Sequence, residues 1–324
     1  MLEVIAYVTS NTLREDGCIT KPIPAVQLHR LQSLLYTAGT LRAIATGDGQ
    51  AGMRDYMAAL ELVIRPPGSI EDGNLLVLRD LVIATCLLGL LASLPAQSPV
   101  LISAAKVLGV GVTDLGSAAL ERGLDWLYVV HRRGDALLDV LLQAGGGILP
   151  VPLLIPEKAL RLLHVLFHPY DGVLPGLCAR DPYSRWHPAV DVQSGLESRK
   201  ITATLLLALS LSLQDTGIPH QLFLPAGSGR YIPSSLSLHL ILHYLALALH
   251  PTPSTCNNIG ILMASTRQTS TTTNADGGKE TIDGSIISRL YYSKGLALDP
   301  RHPYLMTNLA SSLKDQGRMS VAIR

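Results

Sequence analysis

The sequence predicts an all-α fold, and three observations carry that expectation. Apolar residues recur at three- and four-residue spacing from one end of the chain to the other, no segment sustains the two-residue alternation of a half-buried strand, and the carboxyl end holds two near-copies of one helical segment. With 324 residues the chain has room for two ordinary domains or one extended array.

Leu28, Leu31, Leu35 and Ala38 fall on one helical face, as do Met53, Tyr56, Met57 and Leu60, before Pro66-Pro67-Gly68 breaks the chain. The spacing predicts two antiparallel helices. Thr113 or Asp114 can cap a helix through Trp126 and Val130, and Asp135 can begin another that stops at Gly145-Gly146-Gly147. Pro156 suits the first turn of a helix running to His168, where Pro169 blocks extension. From Asp171 to Gln193 proline, glycine, arginine and aromatic residues read as a surface connection, and helices resume over 197–213 and 235–249. Residues 266–284 are Thr-, Ser- and Gly-rich with almost nothing apolar to offset the entropy of ordering, so a mobile insertion is expected there.

Composition narrows the functional classes. Lys plus Arg is 26 against 25 for Asp plus Glu, and a net charge of +1 supplies no field to draw the chain onto nucleic acid or an anionic bilayer, so neither is expected as a partner. A mean hydropathy of +0.30 makes a membrane span the next question. The densest apolar run, Leu236 to Leu249, would reach roughly 21 Å as a helix, short of the roughly 30 Å hydrocarbon core. Leu81 to Ala105 is uncharged but Pro95, Gln97, Ser98 and Pro99 divide it into two short halves. Cys18, Cys86, Cys178 and Cys256 lie far from any CxxC spacing and no Asn-x-Ser/Thr acceptor occurs, which fits reduced thiols in the cytoplasm or nucleus.

The specific signal is a repeat. Leu247-Ala248-Leu249-His250-Pro251 aligns with Leu296-Ala297-Leu298-Asp299-Pro300, and Thr255 to Leu262 aligns in the same order with Leu305 to Ser312. Asn258 and Asn308 are 50 residues apart, one 34-residue tetratricopeptide period plus about the length of the polar insertion. Pro300 ends one helix, and Tyr292, Gly295 and Leu296 lie on the face that must pack on the next pair. Met306, Leu309 and Leu313 then form the apolar stripe of the following helix, Gly317 supplies a tight turn, and Ala322 is a small contact residue. Such pairs cover their apolar faces by stacking, which predicts a helical-hairpin solenoid, a right-handed superhelix with a concave inner wall, over 201–324 and irregular helices over 1–200. The last stripe has no capping helix after it, and the expectation is that the chain is the amino-terminal piece of something longer.

Residues 291–303 (Tyr291-Tyr292-Ser293-Lys294-Gly295-Leu296-Ala297-Leu298-Asp299-Pro300-Arg301-His302-Pro303) and 307–318 resemble the repeat region of fungal proteins similar to the O-linked N-acetylglucosamine transferase. The likeness covers 252–324. It implies a superhelix that recruits polypeptide substrates, with transfer of N-acetylglucosamine from UDP-N-acetylglucosamine to Ser or Thr carried by a separate catalytic domain, which would be the only point of contact with the UDP-sugar. The alternative is a stand-alone tetratricopeptide scaffold with no catalysis. The resemblance further implies that Asn258 and Asn308 are peptide-binding residues on the concave face, where a side-chain amide can pair with any peptide unit. The plain alternative is that these amides bond only to neighbouring turns.

No other constellation rises to a site, so no catalytic residue, metal or cofactor is expected. His164 with His168 and His239 with His243 sit one turn apart, but two ligands do not close a zinc site and neither pair has the adjacent glutamate of a zinc hydrolase. Gly145-Gly146-Gly147 and Gly227-Ser228-Gly229-Arg230 lack the strand and Gly-Lys-Ser/Thr of a phosphate loop, and no Gly-x-Ser-x-Gly elbow is present. Trp126 reads as core, between Leu124, Leu127 and Val130, and Trp186 as a possible interface anchor.

Overall fold

Eleven α-helices form among the residues that the computed structural model describes, which are 25–45, 47–64, 78–94, 98–115, 129–130, 132–144, 151–167, 174, 178–180, 186–188, 192–215, 235–264, 266–273, 279–315 and 317. They divide into two compact units. One is built from residues up to 81 together with 167–227, the other from 82–166 together with 228 onward.

The first unit holds α1 (Ala25–Ala45), α2 (Gly49–Ile64) and α7 (Val192–Asp215). Gly47, at φ 68°, turns the chain between α1 and α2, and the Asp48 carboxylate accepts from the amide of Ala51 at 2.9 Å to cap the second helix. Leu28, Leu31, Leu35 and Ala38 of α1 and Met53, Tyr56, Ala59, Leu60 and Val63 of α2 are buried and Met57 is half-buried, the antiparallel pairing that the apolar spacing predicts. Arg42 donates to Asp55 at 3.0 Å along the seam. A third helix, α7, covers the pair, burying Leu205, Leu206 and Leu209. The polar contact to α1 is internal: Gln32 Nε2 donates to Thr202 Oγ1 at 2.8 Å while Gln32 Oε1 accepts from Ser198 Oγ at 3.1 Å. Between α6 and α7, β1 (Cys178–Arg180) and β2 (Trp186–Pro188) form a short antiparallel ladder.

The second unit contains most of α3 (Leu78–Ser93) and of α6 (Pro156–Phe167), with α4 (Pro99–Leu108), α5 (Gly134–Ala144), α8 (Ser235–Leu249), α9 (Pro253–Ala264), α10 (Gly284–Leu298) and α11 (Pro303–Asp315). The uncharged stretch 81–105 is two helices: α3 ends at Ser93, and Ser98 caps α4 by accepting from the amide of Val100. Gly109, at φ 71°, closes α4 with its amide hydrogen on Ala105 and Lys106 carbonyls. No helix among the described residues is long and apolar enough to cross a membrane. Lys158 of α6 donates to the Ala92 carbonyl at 2.6 Å, placing an ammonium where the α3 dipole ends negative.

Residues 151–155 are neither helix nor strand, and two tyrosine side chains bond to their backbone. Tyr244 Oη of α8 donates to the Pro152 carbonyl at 2.8 Å and accepts from the Leu154 amide at 3.2 Å, while Tyr291 Oη of α10 donates to the Leu154 carbonyl at 2.9 Å. The two rings stack at 19° with centroids 6.2 Å apart.

The structure departs from the sequence reading in four places. The proposed boundary at residue 200 falls inside α7, which begins at Val192 and runs without a break. Among the described residues two short antiparallel ladders accompany the helices. One of them occupies the polar insertion: β3 (Arg267–Thr273) pairs antiparallel with β4 (Lys279–Asp283), with Arg267 opposite Asp283 and Thr269 opposite Thr281, so the β-branched threonines that lack core-forming bulk still favour an extended ladder. Thr113 and Asp114 lie in a 3₁₀ turn, Val112–Asp114, and the helix expected after them falls mostly outside the described residues. Trp126, Gly145-Gly146-Gly147, His168 and Gly227-Ser228-Gly229-Arg230 also lie outside them, as do the side chains of His164 and Trp186.

Candidate functional site

α9, α10 and α11 carry the residues that the repeat singled out. Thr252 opens α9 by accepting from the Thr255 amide at 3.1 Å, with Pro253 in the first turn. Pro303 opens α11 in the same way, so Asn258 and Asn308 are each the sixth residue of their helix. Between them, α10 packs on both. Gly260 of α9 admits the ring of Tyr292, and Gly295 of α10 admits Leu305 of α11 together with the Cβ of Cys256. These glycines are buried inside helices, where the absence of a side chain lets the neighbours approach closely. Burial pushes the Cys256 thiol up to about 11, so it remains protonated at neutral pH and is a packing group there.

Asn308 Nδ2 donates to Asn257 Oδ1 at 2.8 Å, joining α11 to α9. Asn257 is 9% exposed and Asn308 half-buried, whereas Asn258 is exposed and bonds to no side chain among the described residues. The structure therefore bonds Asn308 to the neighbour of Asn258, and neither Asn258 nor Asn308 bonds through its side chain to a turn of its own helix. The bridge leaves Asn308 Oδ1 as an acceptor and the Asn257 amide hydrogens as donors, with no further bond among the described residues. Around it the exposed residues of α9 are Ser254, Asn258, Ile261 and Ala264, at the spacing of one face, and those of α11 include Tyr304, Thr307 and Ser311. Ile261 at 51% and Tyr304 at 69% exposure flank the amides with apolar surface. The site is thus uncharged, with donors, acceptors and two apolar contacts side by side.

Sequence reasoning missed Asn257, and its signal was available: Cys256, Ile259, Gly260 and Met263 trace the buried stripe of α9, which turns residue 257 to the edge of the contact with the next hairpin. It also placed Met306, Leu309 and Leu313 inward on α11. Leu305 is the fully buried residue, Met306 is 53% exposed, and Leu309 and Leu313 are half-buried, because Leu305 is the side chain that Gly295 receives. Tyr292 packs within its own hairpin, against Gly260, and Gly295 makes the contact to the next helix.

His239 and His243 both lie buried on α8, and His243 Nδ1 donates to the His239 carbonyl at 2.8 Å. No group of three or more metal-ligating side chains assembles among the described residues. Desolvation lowers the His243 pKa, with the backbone hydrogen bond acting in the opposite sense. The neutral form is the folded form, so its contribution is complete above the ordinary histidine value and is lost as the pH falls below about 6.5, where the unfolded chain takes up the proton first. Melting temperature should decline from pH 7.5 to 5.5, and His243→Leu should flatten that decline; an unchanged slope in the variant would assign it to other groups.

Neither a family model nor a curated relative matches the chain.

Proposed function

We propose that the α9–α11 face recognises extended polypeptide, reading backbone amides with Asn308, Asn257 and Asn258 and lodging apolar side chains against Ile261 and Tyr304. The observation that carries this reading is the amide bridge between consecutive first helices, 2.8 Å long, with donors and acceptors left over beside it and an exposed third amide at the next position of α9. A carboxamide offers both halves of the pairing that a peptide unit makes, whatever side chain that unit bears. The hairpin order α9, α10, α11, with each helix touching the next and α9 touching α11, supports a tetratricopeptide-like stack. The resemblance of 252–324 supports the further step that polypeptides held here are presented for transfer of N-acetylglucosamine from UDP-N-acetylglucosamine to Ser or Thr by a catalytic domain.

The test is direct. Uncharged, unstructured dodecapeptides selected on an array of the immobilised chain are titrated by fluorescence anisotropy. Asn308→Ala should weaken binding about tenfold, the equivalent of roughly 1.4 kcal/mol, by a similar factor for peptides of different sequence, with the circular dichroism unchanged. Affinity within twofold of the parent across the panel would sink the proposal.

A further inference from the structure

We infer that the chain holds one three-helix arrangement twice, as α1–α2–α7 in the first unit and α9–α10–α11 in the second, and that the first copy is closed where the second is open. Each copy is joined at the same place. A glycine in the first helix receives the ring of a tyrosine in the second: Gly39 with Tyr56, Gly260 with Tyr292. Around each tyrosine the leucines keep the same spacing, Leu60 and Leu62 after Tyr56, Leu296 and Leu298 after Tyr292. Four residues before the tyrosine stands a buried small residue, Gly52 or Ser288, and three after it another, Ala59 or Gly295. The first helix tolerates nothing larger than glycine opposite the ring, since a Cβ on Gly39 would also meet the Gly52 carbonyl at 2.9 Å.

The third helix repeats the pattern. α7 packs on both α1 and α2, as α11 packs on both α9 and α10. In each copy a carboxamide ties first helix to third: Gln32 to Ser198 and Thr202, Asn257 to Asn308. The residues between Ile64 and Val192 are therefore an insertion within the first copy, as the β3–β4 hairpin is an insertion within the second.

What differs is access. Gln32, Ser198 and Thr202 are fully buried, and the Gln32 amide uses both its ends, Nε2 on Thr202 and Oε1 under Ser198, while Thr202 Oγ1 donates onward to the Ser198 carbonyl at 2.7 Å. The bridging amide of this copy is not left to face a ligand. In the second copy the bridging Asn308 is half-buried and Asn258 stands exposed beside it. The bridge of the first copy is a support, and of the two bridges the second is the one open to recognition. The duplication itself holds whether or not the α9–α11 face binds peptide.

Hydrogen exchange on the full chain separates the possibilities, because cooperative units lose protection together. Gly39→Ala should accelerate exchange at least tenfold in α1, α2 and α7 alike and leave α9–α11 at parent rates; Gly260→Ala should do the reverse. If α7 keeps parent rates in Gly39→Ala, or follows Gly260→Ala instead, the first copy does not exist. Should Gly39→Ala fail to fold, Gln32→Leu replaces it with the same three helices expected to respond and the same outcome overturning the inference. For the closed and open states, Gln32→Ala should accelerate exchange across its copy whereas Asn308→Ala should change its own by less than about threefold; equal effects would remove the distinction.

Discussion

Tyr244→Phe should lower the free energy of unfolding by about 2–4 kcal/mol, because one hydroxyl serves two buried backbone groups and each costs about 1–3 kcal/mol when left unpaired. The substitution keeps the ring and its stacking on Tyr291, so the loss reports the hydroxyl alone. Tyr291→Phe strands only the Leu154 carbonyl and should cost about half as much. Residues 151–155 belong to neither a helix nor a strand, and no ladder can take over when a phenol is removed. Burial pushes both phenols well above their ordinary pKa, so the difference between parent and variant should stay constant from pH 6 to 9. Urea unfolding with an unchanged m-value gives the number. A loss under about 0.5 kcal/mol would mean that the freed amide and carbonyl reach water.

The second large effect is expected at Gly260. Alanine in a helix interior is favoured over glycine by about 1 kcal/mol, and on that ground alone Gly260→Ala would stabilise. The added methyl collides with the ring of Tyr292, which is itself 2% exposed. Overpacking of that kind costs about 1–3 kcal/mol, and with both the edge and the tip of the ring in the way of the methyl it should outweigh the gain and leave a net loss. Tyr292→Leu should remove the collision, and Gly260→Ala made in that background should be neutral or stabilising. A loss of the same size in both backgrounds would place the strain somewhere other than the ring. Gly317→Ala is the control: its φ of 72° is costly for any side chain, yet nothing lies within 4 Å of the added carbon, so no partner substitution should relieve it.

Helices were legible in the sequence because their apolar residues keep period: Leu28, Leu31, Leu35 and Ala38 are all buried, as are Met53, Tyr56 and Leu60. Pro156 marked the start of α6, and Ser98 with Pro99 the division before α4. What stayed hidden was which residue of a stripe points furthest inward. Leu305 and Met306 are both apolar neighbours, and only the partner glycine at 295 decides between them. Asn257 and Asn258 pose the same difficulty, since adjacent positions differ by about 100° around the helix. The Gly39–Tyr56 joint was hidden for another reason: it has no exact word in common with its counterpart, and the likeness lies in contacts between helices. The β3–β4 ladder escaped because polar threonines carry strand preference without the alternation that betrays a buried face.

At the foot of that ladder the Gly284 amide donates to the Thr266 carbonyl at 2.9 Å, and Thr266 is pinned in turn by its amide to Met263 and its hydroxyl to Leu262. A side chain at 284 would run into the carbonyls of Met263 and Thr266, so the two crossing points of the backbone are held as close as they can be. The helices on either side consequently sense a fixed gap, however much chain is threaded through it. Reporter tags or foreign epitopes grafted between Thr273 and Lys279 should be carried as passengers, which makes this neck a natural port for attaching cargo to the molecule.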